Sequence, residues 1–260
     1  MDTFEYIRNL ARIREAIPDE LKPSWVRITT ITMVCKGHIE SFDVERIKEA
    51  FRRVKTITLK PKDGNGKFTW RMMYNSFYNQ VTIGYRDMYS AKAIKLFPNG
   101  SIQVAGCSNI LDCRRVCRQL EIILSITTGK KTVIPFSKFM VVMINSNFSF
   151  NSHINLYSLY DHLSKCKDID DVVYDPGTYS GLKVKLSPGE GMKRVSVSIF
   201  STGNVLISGA ETLEEVYETY RLLNKYVGAQ YRFKKSEDPK SFEVVMGARF
   251  DEWVRVLNKM

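Results

Sequence analysis

The sequence predicts an α+β fold of two tandem, related halves, each an antiparallel sheet layer with helices on one face. Three observations lead there: an internal repeat, alternating apolar residues around a glycine turn in each copy, and a helical apolar stripe after it. The repeat sets IKLFPNGSIQVAGC (Ile94 to Cys107) against VSIFSTGNVLISGA (Val197 to Ala210). Phe97 pairs with Phe200, Gly100 with Gly203 and Gly106 with Gly209, every offset being 103. Each copy reads as strand, tight Gly turn, strand.

The helix after the first copy carries Cys113, Val116, Cys117, Leu120 and Ile123 on one stripe; the second carries Leu213, Val216, Tyr220, Leu223 and Val227. Thr212 and Glu215 form a capping box, and Asn109 caps the first helix. Upstream, QVTIGY (Gln80 to Tyr85) and LKVKLS (Leu182 to Ser187) alternate as strands. Before them, TITLKP (Thr56 to Pro61) and DVVYDP (Asp171 to Pro176) are extended and end at proline. Helices precede these, with Val44, Ile47, Phe51 and Val54 in one half and Leu156, Leu159 and Leu163 in the other. VRITTITMV (Val26 to Val34) and FMVVMINSNF (Phe139 to Phe148) open the halves. The order is strand, helix, four strands, helix, twice. The halves span 25–135 and 136–233, with helical extensions over 1–24 (Phe4, Ile7, Leu10, Ala11) and 234–260 (Phe250, Trp253, Val254, Leu257).

Composition narrows the partners. The 260 residues carry 39 basic and 28 acidic side chains, a net charge of +11. That excess favours a polyanion, nucleic acid before an anionic membrane. The longest apolar run, Phe139 to Ile144, falls far short of the roughly 18 residues a span requires, so no membrane role is expected. Asp2, Glu5 and Arg8 stand where a signal peptide would be apolar, and five cysteines without a C-x-x-C pair read as reduced thiols. An intracellular protein is expected. His38, His153 and His162 stand apart from other ligands, and no phosphate-loop motif occurs; GNGKFTW (Gly64 to Trp70) lacks the G-K-[ST] order. No enzyme, metal or cofactor is expected.

The repeat resembles the core of the TATA-box-binding protein family. IFSTGNVLISGA (Ile199 to Ala210) is similar to that family's I-F-x-S-G-K-x-V-x-T-G-A hairpin, LFPNGSIQVAGC (Leu96 to Cys107) more weakly so. YDPGTYSGLKV (Tyr174 to Val184) resembles its Y-x-P-x-x-F-P-G-L stretch, and the likeness covers about 25 to 233. The divergence resembles that of the family's members in large DNA viruses. The resemblance implies a saddle, one curved antiparallel sheet with helices on its convex face. It further implies a monomer that binds and bends double-stranded DNA from the minor groove, a mode for which this family is itself the standard example. General transcription factors or RNA polymerase are the implied protein partners, and the nucleus or a viral transcription site the implied location. The family's docking site for transcription factor IIB uses acidic residues on the second stirrup, where DPGTYSG keeps only Asp175. A protein-interaction scaffold of the same fold and a single-strand binder are the competing readings.

By the same resemblance, Phe97 and Phe200 take the wedge position before each Gly turn, and Tyr179 the second wedge of its half. Its counterpart is Tyr78 or Phe77, after an insertion (KDGNGKFTWRMMYNS) read as a long loop in which Phe68 or Trp70 could compete. Alternation from Phe97 assigns Lys95, Asn99, Ser101, Gln103 and Ala105 to the DNA-facing side. From Phe200 it assigns Ser198, Thr202, Asn204, Leu206 and Ser208, with Lys183 and Lys185 as phosphate contacts. Ile94, Leu96, Ile102, Val104, Val197, Ile199, Val205 and Ile207 turn to the helices. On the opening strands the alignment gives Val26, Ile28 and Thr30, and Val141, Met143 and Asn145. The family places a central Asn where Val26 and Val141 stand, so a looser sequence preference is expected, with Gln103 able to accept from a guanine amino group.

Overall fold

The computed structural model describes residues 1–36, 41–59, 67–73, 79–87 and 90–234. Helix α1 (Thr3–Glu15) leads into a first half of β1 (Arg27–Cys35), α2 (Val44–Arg53), β2 (Ile57–Leu59), β3 (Phe68–Met73), β4 (Val81–Arg86), β5 (Ala91–Leu96), β6 (Ile102–Cys107) and α3 (Ile110–Thr128). The second half is β7 (Met140–Ser149), β8 (Ser152–Ile154), α4 (Leu156–Leu163), β9 (Ile169–Val173), β10 (Leu182–Leu186), β11 (Val195–Ile199), β12 (Asn204–Ala210) and α5 (Leu213–Tyr226), with β13 (Arg232–Lys234) returning to pair with β8.

Eleven strands form one curved antiparallel sheet in the order β2-β3-β4-β5-β6-β1-β7-β12-β11-β10-β9. The order mirrors itself about the β1–β7 pair, and every helix after α1 packs on one face. Burial follows the alternation: Ile94, Leu96, Ile102 and Val104 in the first half, and Val197, Ile199, Val205 and Ile207 in the second, are closed to solvent. Each such side chain contributes roughly 1.5–3 kcal/mol by leaving water. They meet Cys113, Val116, Cys117, Leu120 and Ile123 of α3, or Val216, Tyr220 and Leu223 of α5. The predicted stripes are therefore the core faces of these helices. Asn109 accepts from the Asp112 N–H at 2.8 Å, and the Thr212–Glu215 capping box is complete.

Three expectations change. The segment read as a long loop contains β3, which joins the sheet because FTWRMM alternates; Trp70 and Met72 enter the core while Arg71 and Met73 face out. Trp70 is fully buried against Tyr85, ring centroids 4.7 Å apart, and so holds no wedge position; Phe68 stacks on the same tyrosine. At the N-terminus, α1 packs on α5 through Tyr6 and Leu10 and leaves Phe4 82% and Ile7 50% exposed. The expected C-terminal helix lies outside the described residues.

The two halves close the corner beneath β4–β5 and β10–β11 differently. In the first, buried Lys92 lies 3.2 Å from Asp112 and 3.8 Å from Asp87, and Arg115 binds both carboxylates. In the second, the Glu215 carboxylate accepts from the backbone N–H groups of Lys193, Glu211 and Thr212. Each device satisfies the polar groups that burial would otherwise leave unpaired.

The repeated turns share one backbone solution. Gly100 and Gly203 have φ of 79° and 84°, and Gly106 and Gly209 have 94° and 91°, a region that L side chains avoid. A Cβ on Gly203 would lie 2.1 Å from the Ser152 carbonyl oxygen. Gly203→Ala should therefore cost about 2–4 kcal/mol, combining left-handed strain with backbone displacement. Urea unfolding of the variant checks this, and an unchanged midpoint would show that the turn is not so constrained.

Candidate nucleic-acid interface

The face opposite the helices has no covering element among the described residues, and most of the sequence-assigned positions lie on it. Lys95, Phe97, Ser101, Gln103 and Ala105 are half-buried on β5, its turn and β6, with Asn99 exposed at the tip. Ser198 and Phe200 are half-buried; Thr202, Asn204, Leu206, Ser208, Lys183 and Lys185 are exposed. In register, Lys183 faces Ser198 and Ser198 faces Leu206, while Thr82 faces Lys95 and Lys95 faces Gln103. Each half thus presents one lysine at the equivalent rung, on β10 in one half and on β5 in the other.

The two phenylalanines occupy the same local structure. Phe97 donates its N–H to the Ser101 carbonyl at 3.0 Å and accepts from the Gly100 N–H at 3.0 Å. Phe200 repeats both bonds with Asn204 and Gly203, at 2.9 and 2.8 Å. Neighbouring segments hold each turn: the Phe42 N–H donates to the Pro98 carbonyl, and Ile154 to that of Ser201. Both side chains therefore leave a fixed turn at an outer end of the sheet.

Tyr179 joins Phe200 over a glycine. Their ring centroids are 5.9 Å apart, and a Cβ on Gly181 would lie 2.8 Å from the tyrosine ring and 3.0 Å from the phenylalanine ring. The absent side chain is what lets two rings share one seat. Lys183 Nζ sits 4.4 Å from the Tyr179 ring centroid, so a cation borders the aromatic pair. Beside them, exposed Asp175 caps its own turn, accepting from the Thr178 hydroxyl at 2.6 Å and the Gly177 N–H at 3.2 Å. The Thr178 bond, with help from the backbone N–H groups, holds the Asp175 carboxyl below the usual carboxylate range. The counterparts of Tyr179, Phe77 and Tyr78, lie outside the described residues.

The opening strands correct three assignments. Val26, Ile28 and Val141 were expected on the open face, yet all three pack against the hydrophobic core. Bulges are the reason. The β1–β7 register shifts between Ile28 and Thr30 and again between Thr32 and Met33, and each extra residue exchanges the faces. Ile28 thus pairs with Ser146, whose other partner is core residue Ile207. Thr30, Met143 and Asn145 lie on the open side of these shifts, and the Asn145 amide donates to the Thr30 hydroxyl at 3.0 Å. Arg27, which simple alternation missed, pairs across the same junction with Asn147, which continues the alternation from Asn145, and Leu206 lies beyond. Only the position of the bulge in β1 could have revealed Arg27.

If Phe97 and Phe200 serve the open face rather than the core, their truncation should be mild. We expect Phe97→Ala with Phe200→Ala to lower stability by less than Phe148→Ala alone, a buried control that should lose about 3–5 kcal/mol. Chemical denaturation of the three variants gives the comparison. A double variant as damaged as the control would place the two rings in the core.

Comparison with known proteins agrees with this architecture. A family model described as "Transcription factor TFIID (or TATA-binding protein, TBP)" matches residues 138–227, most of the second half. A TATA-box-binding protein-like protein of Acanthamoeba polyphaga mimivirus is 26% identical over 244 residues, covering 80% of this chain and 66% of the relative. This chain thus spans just under two thirds of that relative's length. The solved structure of Methanococcus jannaschii TBP superposes with a TM-score of 0.51 at 15% identity, covering 78% of this chain and 97% of that one. It shares the saddle fold, and the first half, which the family model leaves unmatched, is part of that fold. With the two sequence likenesses, the shared fold supports a divergent, TATA-box-binding-protein-like family member.

Proposed function

We propose that this protein is a transcription initiation factor that binds duplex DNA across its open face and bends it from the minor groove. The observation that carries the reading is the pair of aromatic tips, Phe97 and Phe200 on matching turns at opposite ends of one uncovered sheet, with Tyr179 seated beside the second. A broad sheet meets a shallow groove only where the groove is opened, and rings inserted between base steps hold it open. Lys95, Lys183, Lys185 and Arg27 supply cations for the flanking phosphates. Among the described residues no helix is long and apolar enough to cross a membrane. General transcription factors or RNA polymerase are the partners such a bent complex would recruit.

Sequence preference in this reading is loose. Minor-groove acceptors differ little between A·T and T·A, and guanine is marked mainly by its amino group. The amides of Asn145 and Asn147 stand on the second half's side of the junction, whereas the first half offers Thr30, Ala105 and Gln103. Gln103 can accept from a guanine amino group. What selectivity remains follows the ease of kinking pyrimidine–purine steps under the wedges.

Three measurements test the proposal. Energy transfer between dyes on the ends of a short duplex should rise on binding, and should rise less with the Phe97→Ala, Phe200→Ala variant. Saturated binding at the free-DNA value would remove the wedge mechanism and leave the scaffold or single-strand readings. Selection from a random duplex library should recover a degenerate centre; a strict TATA consensus excluding G·C there would overturn the claim of tolerance. For about six neutralised phosphates, the slope of log affinity against log salt should be roughly −5.

A further inference from the structure

The halves differ by one strand. Beyond β10 the second half has only β9, whereas beyond β4 the first half has both β3 and β2. The first half therefore reaches about 4.8 Å further from the β1–β7 junction. The open-face rungs can be compared position for position. In the second half one rung reads Asp171, Lys185, Ser196, Ser208 from the outside inward. The equivalent rung of the first half reads Arg71, Gly84, Ala93, Ala105.

The charges along this rung are rearranged. In the second half the cation is on the inner strand, and the outer position is a carboxylate 3.9 Å from it. In the first half the inner position has no side chain and the outer one is an arginine. Arg86, opposite Thr69 on the next rung, adds a second guanidinium to the same rim. Both arginines are exposed, and neither enters an ion pair among the described residues. Inside them, Gly84, Ala93 and Ala105 floor a shallow concavity of about 860 Å³, walled by Arg71, Met73 and Arg86. Small floor residues let a bulky chain approach the backbone closely, and guanidinium forks match phosphate oxygens.

We propose that this rim is a phosphate shelf of the first half alone, so that the protein's contact with duplex DNA extends further on that flank than on the other. The inference rests on the DNA-binding reading above. Charge complementarity selects the occupant: two arginines without an ion-pair partner among the described residues, over an apolar floor, suit a polyanionic backbone. The second half's corresponding edge, with Asp171 paired to Lys185 and Val173 exposed, does not offer this. The asymmetry also gives the pseudo-twofold molecule a direction on DNA.

Hydroxyl-radical footprinting on a duplex with one selected site tests it, using the full chain and an Arg71→Ala, Arg86→Ala variant. The parent should protect sugars unequally on the two flanks. The variant should lose the outermost one or two protected positions on the longer flank only, with the salt slope falling by roughly 2. Lys183→Ala with Lys185→Ala should instead shorten the other flank. A footprint unchanged by the arginine replacements, or shortened equally on both sides, overturns the shelf while leaving the DNA-binding proposal standing. No protection by the parent at any salt overturns the DNA-binding proposal itself, and the shelf with it.

Discussion

Strands β1 and β7 would each be the exposed edge of a small sheet if its half stood alone, with a row of unpaired N–H and C=O groups. Pairing them antiparallel satisfies both edges at once, from Arg27 opposite Asn147 to Val34 opposite Met140. That junction fixes everything outward of it. It aligns two half-sheets into one eleven-stranded surface and keeps both sets of helices on the same side. It also carries the hairpin turns of β5–β6 and β11–β12 to opposite ends. The open face exists because each half has helices for only one side of its sheet.

Symmetry then reaches only as deep as the backbone requires. The turns at Gly100 and Gly203 (φ 79° and 84°), and the bulges at Gly106 and Gly209 (94° and 91°), repeat closely because each needs positive φ in both halves. Side chains that satisfy a local environment are free to differ. An ionic cluster around Lys92 closes one corner and the Glu215 carboxylate the other. Lysine stands on β5 in one half and on β10 in the other. The two halves share one frame, and each has its own surface chemistry.

The junction strands carry the largest departure from simple alternation, where a misplaced residue matters most. Their bulges place apolar Ile28 and Val141 inward and bring Arg27 to the open side beside Thr30, Asn145 and Asn147. At the centre of the sheet, Thr30 and Asn145 keep the face that alternation assigns, while irregular register decides Arg27, Ile28 and Val141. Directly opposite Thr30, Asn145 sends its amide across the junction to the Thr30 hydroxyl, joining the halves by a side chain as well as by backbone.

The sequence by itself determined the tandem organisation, the helix stripes and caps, the β5–β6 and β11–β12 hairpins, and the two faces of those hairpins. These rest on local periodicity and glycine turns, which are properties of neighbouring residues. Only the tertiary structure decided the rest. FTWRMM becomes a strand because β4 offers it a free edge, and its Trp70 goes to the core rather than to the tip. Bulges exchange the faces of β1 and β7 because two long strands must fit each other as well as their own hairpins. Tyr179 meets Phe200 over Gly181 because β10 and β11 pair in register. Each depends on partners distant along the chain, whose register no local pattern encodes.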